Sequence, residues 1–167
     1  DHLDVLKAAQ IVNDEGIGFP ILLGRSEVIK ELMAEIDFQE DDVVIIDPKS
    51  DDEEENRKKY AYKYWETRHR SGVTKYDAEK LLRERNYFAA MMVNEGDADA
   101  LITGYSRNYP SVVKPMLDLI GLAPGSTRIA TTNVMITRRG PLFLSDTAIN
   151  INPTAHDLIK ITQMTSG

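Results

Sequence analysis

Cysteine is absent from this 167-residue chain, which excludes disulfides, a thiolate zinc site and a thiol nucleophile. The lack is compatible with a reducing compartment, and a cytoplasmic location is expected. Aromatic residues make up only 7%, and no apolar run approaches the roughly 20 residues that cross a bilayer. No charged-then-apolar leader opens the sequence, so no membrane partner is expected. Both G-x-x-x-x-G-K-[ST] and G-x-G-x-x-G are missing, so no nucleotide-binding motif guides the reading. There are three histidines, His2, His69 and His156, each on a predicted helix, and they make neither a nucleophile elbow nor a two-histidine metal pair. Ordinary surface or packing roles are expected for them. The net charge of -7 argues against a broad nucleic-acid surface, though not against a local basic pocket.

What is present reads as a globular domain, or one large piece of a bigger one: 42% hydrophobic and 28% charged residues. Asp1 is not an initiator methionine, and His2-Leu3-Asp4-Val5-Leu6 is already helical in pattern. Thr162 to Gly167 breaks off a running helix. Both ends are expected of an excerpt from a longer polypeptide.

Leu3, Leu6, Ile11 and Val12 predict a first helix ending at Gly16 or Gly18. Pro20 to Gly24 and Val43 to Ile46 are short apolar runs expected as buried strands. Between them, Ser26 is expected to cap a helix through about Ile36, with Val28, Ile29, Leu32 and Met33 inward. Five consecutive acidic residues, Asp51 to Glu55, read as a solvated loop at a helix amino end rather than a metal site. Three helices follow, opening near Glu54, after Thr74 and at Asn86, with Tyr60, Tyr64 and Trp65 as core aromatics. Such a helical insert exceeds a simple crossover between strands and can wall a cleft.

The stretch from Asp97 to Pro110 then carries the chemistry. Ala100-Leu101-Ile102 predicts a short central parallel strand, and Gly104 lets the chain leave it with exposed backbone. Ser106, Arg107 and Asn108 follow as donors where a helix from Tyr109 to Ile120 begins, with Pro115 inside it. A strand end meeting a helix amino end is the usual anion site of open α/β sheets, so a phosphate-like group is expected there. Arg68, Arg70, Arg107 and Lys114 either converge on that site or remain scattered surface charge. Pro124-Gly125 marks a turn, and Arg128 to Thr137 with Pro141 to Asp146 predicts a β-hairpin about Arg138-Arg139-Gly140. In the last segment Asn152 is the expected cap, with Pro153 in the first turn of a final helix. Asn150 and Asn152 divide between turn chemistry and ligand contact, with the turn favoured.

Several segments together resemble the phosphate acetyltransferase family. They are Pro20-Ile21-Leu22-Leu23-Gly24, Gly72-Val73-Thr74, Tyr87 to Val93 running into Gly96-Asp97-Ala98-Asp99-Ala100, Lys114-Pro115, and Ser145 to Thr154. The last block is the most specific. The resemblance implies a three-layer α/β sandwich with a mostly parallel sheet, a helical insert, and an antiparallel hairpin leading to a second subdomain. Residues 1–167 would be the first subdomain and part of the second. It also implies coenzyme A and phosphate meeting in a cleft. The expected acyl-CoA and phosphate site is Arg68, Gly104, Ser106, Arg107, Asn108, Lys114, Asp146, Asn150 and Asn152, with no catalytic residue and no metal.

Two departures from that family matter. The segment after Gly104 carries bulky Tyr105 and Tyr109 in place of small Ser/Thr residues, and an Arg-Pro pair is replaced by Lys114-Pro115. Lysine keeps the charge but loses bidentate phosphate geometry. With Gly140 to Asp146, these features look more like the acetyltransferase-like carboxyl-terminal domain of hybrid NADP-dependent malic enzymes. In that family an upstream portion oxidatively decarboxylates malate to pyruvate, with NADP and a divalent metal, Mg or Mn. The resemblance implies a non-catalytic domain that assembles a homo-oligomer, a dimer or higher, and responds to acetyl-CoA or a related CoA ester. The alternatives are a fragment of an active phosphate acetyltransferase and a purely structural domain whose pocket Tyr105 and Tyr109 close.

Overall fold

The computed structural model describes residues 2–124 and 126–166. Asp1, Gly167 and the Gly125 of the expected Pro124-Gly125 turn lie outside the described residues. The chain forms two compact units, one up to Gly121 and one from Leu122.

In the first unit the elements are α1 (Leu3–Asp14), β1 (Ile21–Leu23), α2 (Ser26–Glu35), β2 (Val44–Ile46), α3 (Glu54–Arg68), α4 (Lys75–Leu81), α5 (Arg85–Glu95) and α6 (Tyr109–Leu119). Strands β1 and β2 pair in parallel, Ile21 opposite Val44, Leu22 opposite Ile45 and Leu23 opposite Ile46. Side chains alternate across a strand, and here each face meets a different set of helices. Leu22 and Ile45 join Leu6, Ile29, Met33 and Phe38 on the α1 and α2 side. Ile21, Leu23 and Ile46 pack against the helical insert instead. The result is helices on both faces of a parallel pair, an α/β arrangement of three layers.

The insert holds the larger core. Tyr60 and Tyr64 of α3, Ala78 of α4 and Tyr87, Phe88 and Met91 of α5 lie buried together. Full burial of a side chain such as Phe88 is worth about 1.5–3 kcal/mol. Tyr60 stands edge-on to Phe88 with ring centroids 5.2 Å apart, and Tyr64 likewise to Tyr87 at 5.8 Å. Arg57, almost fully buried on α3, donates to the carbonyls of Pro48, at 3.0 Å, and of Ser50. It thereby ties the loop after β2 to the insert. Thr74 and Asp77 form a complete capping box at the start of α4.

Three expectations need correction in this unit. Ser26 is the first residue of α2 rather than its cap, and Arg25 takes the cap position with no side-chain hydrogen bond to the helix amides. Asn86 lies inside α5, which Glu84 precedes, because its side chain is used elsewhere. Ala100-Leu101-Ile102 forms no strand, and Ile102 is 95% exposed. An apolar run specifies only a preference for burial. The edge that would pair with its N–H and C=O groups is a tertiary matter, and neither β1 nor β2 supplies one.

The second unit is an antiparallel hairpin and a helix: β3 (Thr132–Thr137), β4 (Gly140–Ser145) and α7 (Ala155–Ser166). The register runs from Thr132 opposite Ser145 to Thr137 opposite Gly140, leaving Arg138 and Arg139 as the turn. Pro141 is the second residue of β4, a strand with a free edge, where its missing N–H is tolerated. The expected Asn152 cap is also corrected. Thr154 fills that role, its hydroxyl accepting from the Asp157 amide at 3.3 Å while Asp157 accepts from the Thr154 amide at 2.8 Å. Asn152 sits outside the helix with φ 54°, a left-handed turn conformation that asparagine tolerates.

Candidate functional site

In the first unit two of the cations expected at the anion site, Arg68 and Lys114, meet at α6, whereas Arg70 and Arg107 do not. Lys114 and Asp118 are four residues apart and therefore neighbours on one helix face. Lys114 Nζ pairs with Asp118 Oδ2 and lies 3.3 Å from the Tyr87 hydroxyl. Tyr87 donates to the same Asp118 oxygen at 3.0 Å. Arg68, from the end of α3, donates through Nε to the Asp118 carbonyl at 2.9 Å and through a terminal nitrogen to the Leu117 carbonyl at 3.1 Å. That terminal nitrogen also lies 3.5 Å from Asp118 Oδ1. A guanidinium on the last carbonyls of a helix satisfies acceptors the helix itself leaves open and opposes its negative end.

The electrostatics follow from this packing. Burial works against the charged form of Asp118. The hydrogen bonds from Lys114 and Tyr87, with the charges of Lys114 and Arg68, win and hold its carboxyl below the ordinary range. The hydrogen bond to Asp118 holds the Lys114 ammonium above its usual value. Burial pushes the Tyr87 phenol up to about 12, so it remains a proton donor at neutral pH. Burial likewise raises Tyr64 beside it.

The loop before α6 is arranged differently. Gly104 has φ 110°, a conformation L side chains rarely adopt. Asn108 caps α6, its side chain accepting from the Ser111 amide at 3.1 Å, so its oxygen is committed to the helix start. Ser106 and Arg107 are exposed, and among the described residues neither has a side-chain partner. Tyr105 leaves the loop to donate to Asp4 of α1 at 2.6 Å, with its ring edge-on to His2. Asn86 bridges the two ends of this segment, accepting from the Thr103 hydroxyl at 2.9 Å and donating to the Ser111 carbonyl at 3.0 Å. Arg70 is exposed in the turn after α3, and His69 there lies against the carbonyls of Trp65 and Glu66.

In the second unit Asp146 and Asn150 form one turn. Asp146, at φ 57°, accepts from the Asn150 backbone at 3.2 Å and its side-chain amide at 2.8 Å. The same amide donates to the Ile129 carbonyl at 2.9 Å. Arg128 pairs with Asp157 at 2.7 Å, and Asp157 is held ionised first by the Thr154 hydroxyl and amide. Asn152 is exposed. A cavity of about 230 Å³ in this unit is lined by Ser126, Thr127, Arg128, Lys160, Gln163 and Met164. One of about 260 Å³ in the first unit lies beside Arg57, Lys58, Glu79 and Arg83. Neither includes an expected site residue. Among the described residues no three His, Asp or Glu side chains come together as metal ligands.

The family profile of phosphate acetyl/butaryl transferase matches residues 1–167. The chain belongs to that family. An NADP-dependent malic enzyme of Haemophilus influenzae is 34% identical over 168 residues, covering 95% of this chain and 21% of that protein. A phosphate acetyltransferase of Thermoanaerobacterium thermosaccharolyticum is 31% identical, covering 93% of this chain and 48% of that protein. A crystal structure of a phosphotransacetylase from Streptococcus pyogenes superposes with a TM-score of 0.80 at 30% identity, over 97% of this chain and 49% of that one. The chain thus spans less than half the length of these relatives.

Within this chain, three residues on or beside α6 escaped the sequence reading: Tyr87, Asn86 and Asp118. Asp118 had a usable signal, its four-residue spacing from Lys114. Tyr87 and Asn86 had none, because only packing of α5 against α6 brings them there.

Proposed function

We propose that this chain is the acetyltransferase-like regulatory and assembly domain of an NADP-dependent malic enzyme, and that acetyl-CoA or a related CoA ester is its ligand. One observation carries the non-catalytic part of the reading. Arg68 and Lys114, the cations that a transferase would turn on phosphate, are both engaged by Asp118 and the end of α6. The 34% identity to a malic enzyme over 95% of the chain supports the choice of parent. Malate oxidation, with its NADP and Mg or Mn, then belongs to a portion outside these residues, and no step of it is assigned to this chain. The CoA ester would bind beside Gly104 to Lys114 and lower turnover by preferring a less active state, since equal affinity for both states shifts nothing. Assembly as a homo-oligomer in the cytoplasm completes the reading.

The test is malate-dependent NADP reduction by the full-length parent, titrated with acetyl-CoA. Saturable inhibition that disappears when this domain is deleted, with the basal rate retained, is the expected result. A malate-active parent indifferent to acetyl-CoA removes the sensor and leaves assembly. The second reading, a fragment of an active phosphate acetyltransferase, is favoured by the 31% identity to such an enzyme. Acetyl phosphate formation from acetyl-CoA and phosphate by the parent would establish it.

A further inference from the structure

We infer that Asp118 is the specificity-determining residue of the α6 cluster: its carboxylate occupies, as an internal anion, a site that would otherwise take a phosphate-sized oxyanion. The inference rests on the reading above of Arg68 and Lys114 as an anion-binding pair, and it assigns the group that keeps them filled.

Three donors from three helices reach this carboxylate. Tyr87 of α5 donates to Oδ2 at 3.0 Å, Lys114 of α6 pairs with the same oxygen, and Arg68 of α3 stands 3.5 Å from Oδ1. An ammonium, a guanidinium edge and a phenol held protonated are the groups that would receive a phosphate oxygen. Asp118 is tethered to the same helix as Lys114, so it competes for these donors without the translational and rotational cost of an incoming ion. It also brings a negative charge that repels any second anion at contact distance. The Asp118 side chain is 20% exposed and that of Lys114 66%, so the cluster opens to solvent and an ion has a route in. Arg68 keeps its two backbone acceptors whatever occupies the carboxylate position, which leaves the helix end in place when the charge is removed.

The experiment uses the full-length polypeptide carrying this chain, with inorganic phosphate as the probe against chloride at equal ionic strength. Asp118→Ala removes both charge and bulk. Asp118→Asn removes charge alone and keeps the shape, so that a fold defect in the first does not decide the result. Isothermal titration is expected to show saturable phosphate binding at least about tenfold tighter in either variant than in the unchanged protein. Adding Lys114→Gln to Asp118→Asn should abolish that gain. The inference is overturned if both folded variants bind phosphate no better than the unchanged protein. It is equally overturned if the gain survives Lys114→Gln. Competition with CoA separates the sources: displacement of phosphate assigns the site to a phosphate of CoA, and coexistence assigns it to the free ion. Acetyl-CoA inhibition is read on the same samples. Its absence beside a phosphate gain sinks the sensor alone, and its presence without a gain sinks this inference alone.

Discussion

Up to Gly121, α-helices cover both faces of a short parallel sheet, and Phe88, Met33, Leu82 and Met91 are completely enclosed. From Leu122 onward, Asp157 and Ile161 are the only described residues that count as buried among the charged and apolar side chains. Val134, Met135, Ile136, Leu142, Phe143 and Leu144 on the hairpin are all more than 40% exposed. Each hairpin strand carries a run of three apolar residues, Val134 to Ile136 and Leu142 to Leu144, as β1 and β2 do, so an apolar run alone does not explain the contrast. Neighbours do: β1 and β2 have helices on each side, whereas the hairpin has α7 alone, which it meets in part through the hydroxyls of Thr132, Ser145 and Thr165. Hydroxyl, capping and ion-pair contacts recur in the second unit, apolar packing in the first.

The sharpest way to break this contrast is truncation of one phenylalanine in each unit. Phe88→Ala, at 1% exposure, should cost about 3–5 kcal/mol in urea unfolding, whereas Phe143→Ala, at 58%, should stay within about 0.5 kcal/mol. Equal losses would mean that the hairpin is as well covered as the insert.

Next in size is the α6 cluster. Asp118→Asn should destabilise the first unit by about 1–3 kcal/mol, since it leaves Lys114 and Arg68 with a neutral partner. Because the folded Asp118 carboxyl is held below its ordinary value, its contribution is complete above the unfolded carboxylate range and is lost as pH falls through the folded value. The melting temperature should therefore drop on acidification, and drop less in Asp118→Asn. An acid profile identical in the two proteins would deny Asp118 this role.

Thr154→Ala should cost about 1 kcal/mol by removing the box that starts α7. If polar contacts do organise the second unit, the loss will be accompanied by faster amide exchange throughout β3 and β4. Exchange confined to the first turn of α7 would limit the cap to a local effect. Under native conditions α5 amides should be the best protected of the chain, and hairpin amides should open more readily.

The sequence reading went furthest where spacing alone decides structure. Helix α3 was expected to open near Glu54 and runs from Glu54 to Arg68, with Tyr60 and Tyr64 inward at a four-residue spacing. The helix opening after Thr74 and the hairpin about Arg138-Arg139-Gly140 were equally visible, because capping and turn chemistry are settled within a few residues. Caps that depended on a choice among neighbours were misplaced: Ser26, Asn86 and Asn152 each yielded the position to another residue. Of the candidate site, the meeting of Arg68 with the segment around Lys114 was one of two readings left open, and their common partner was not foreseen.

By itself, then, the sequence determined the α/β character, the order of the helices and of four strands, the three-helix insert and the family resemblance, since periodicity, punctuation and motifs are local properties. Tertiary structure alone decided that Ala100 to Ile102 stays out of the sheet, that Tyr105 leaves its loop for Asp4, and that Asp118 stands among Arg68, Lys114 and Tyr87. Those outcomes depend on which side chains from distant segments arrive at one point. A hydrogen-bond donor or a charge in the sequence carries no record of the acceptor it will meet.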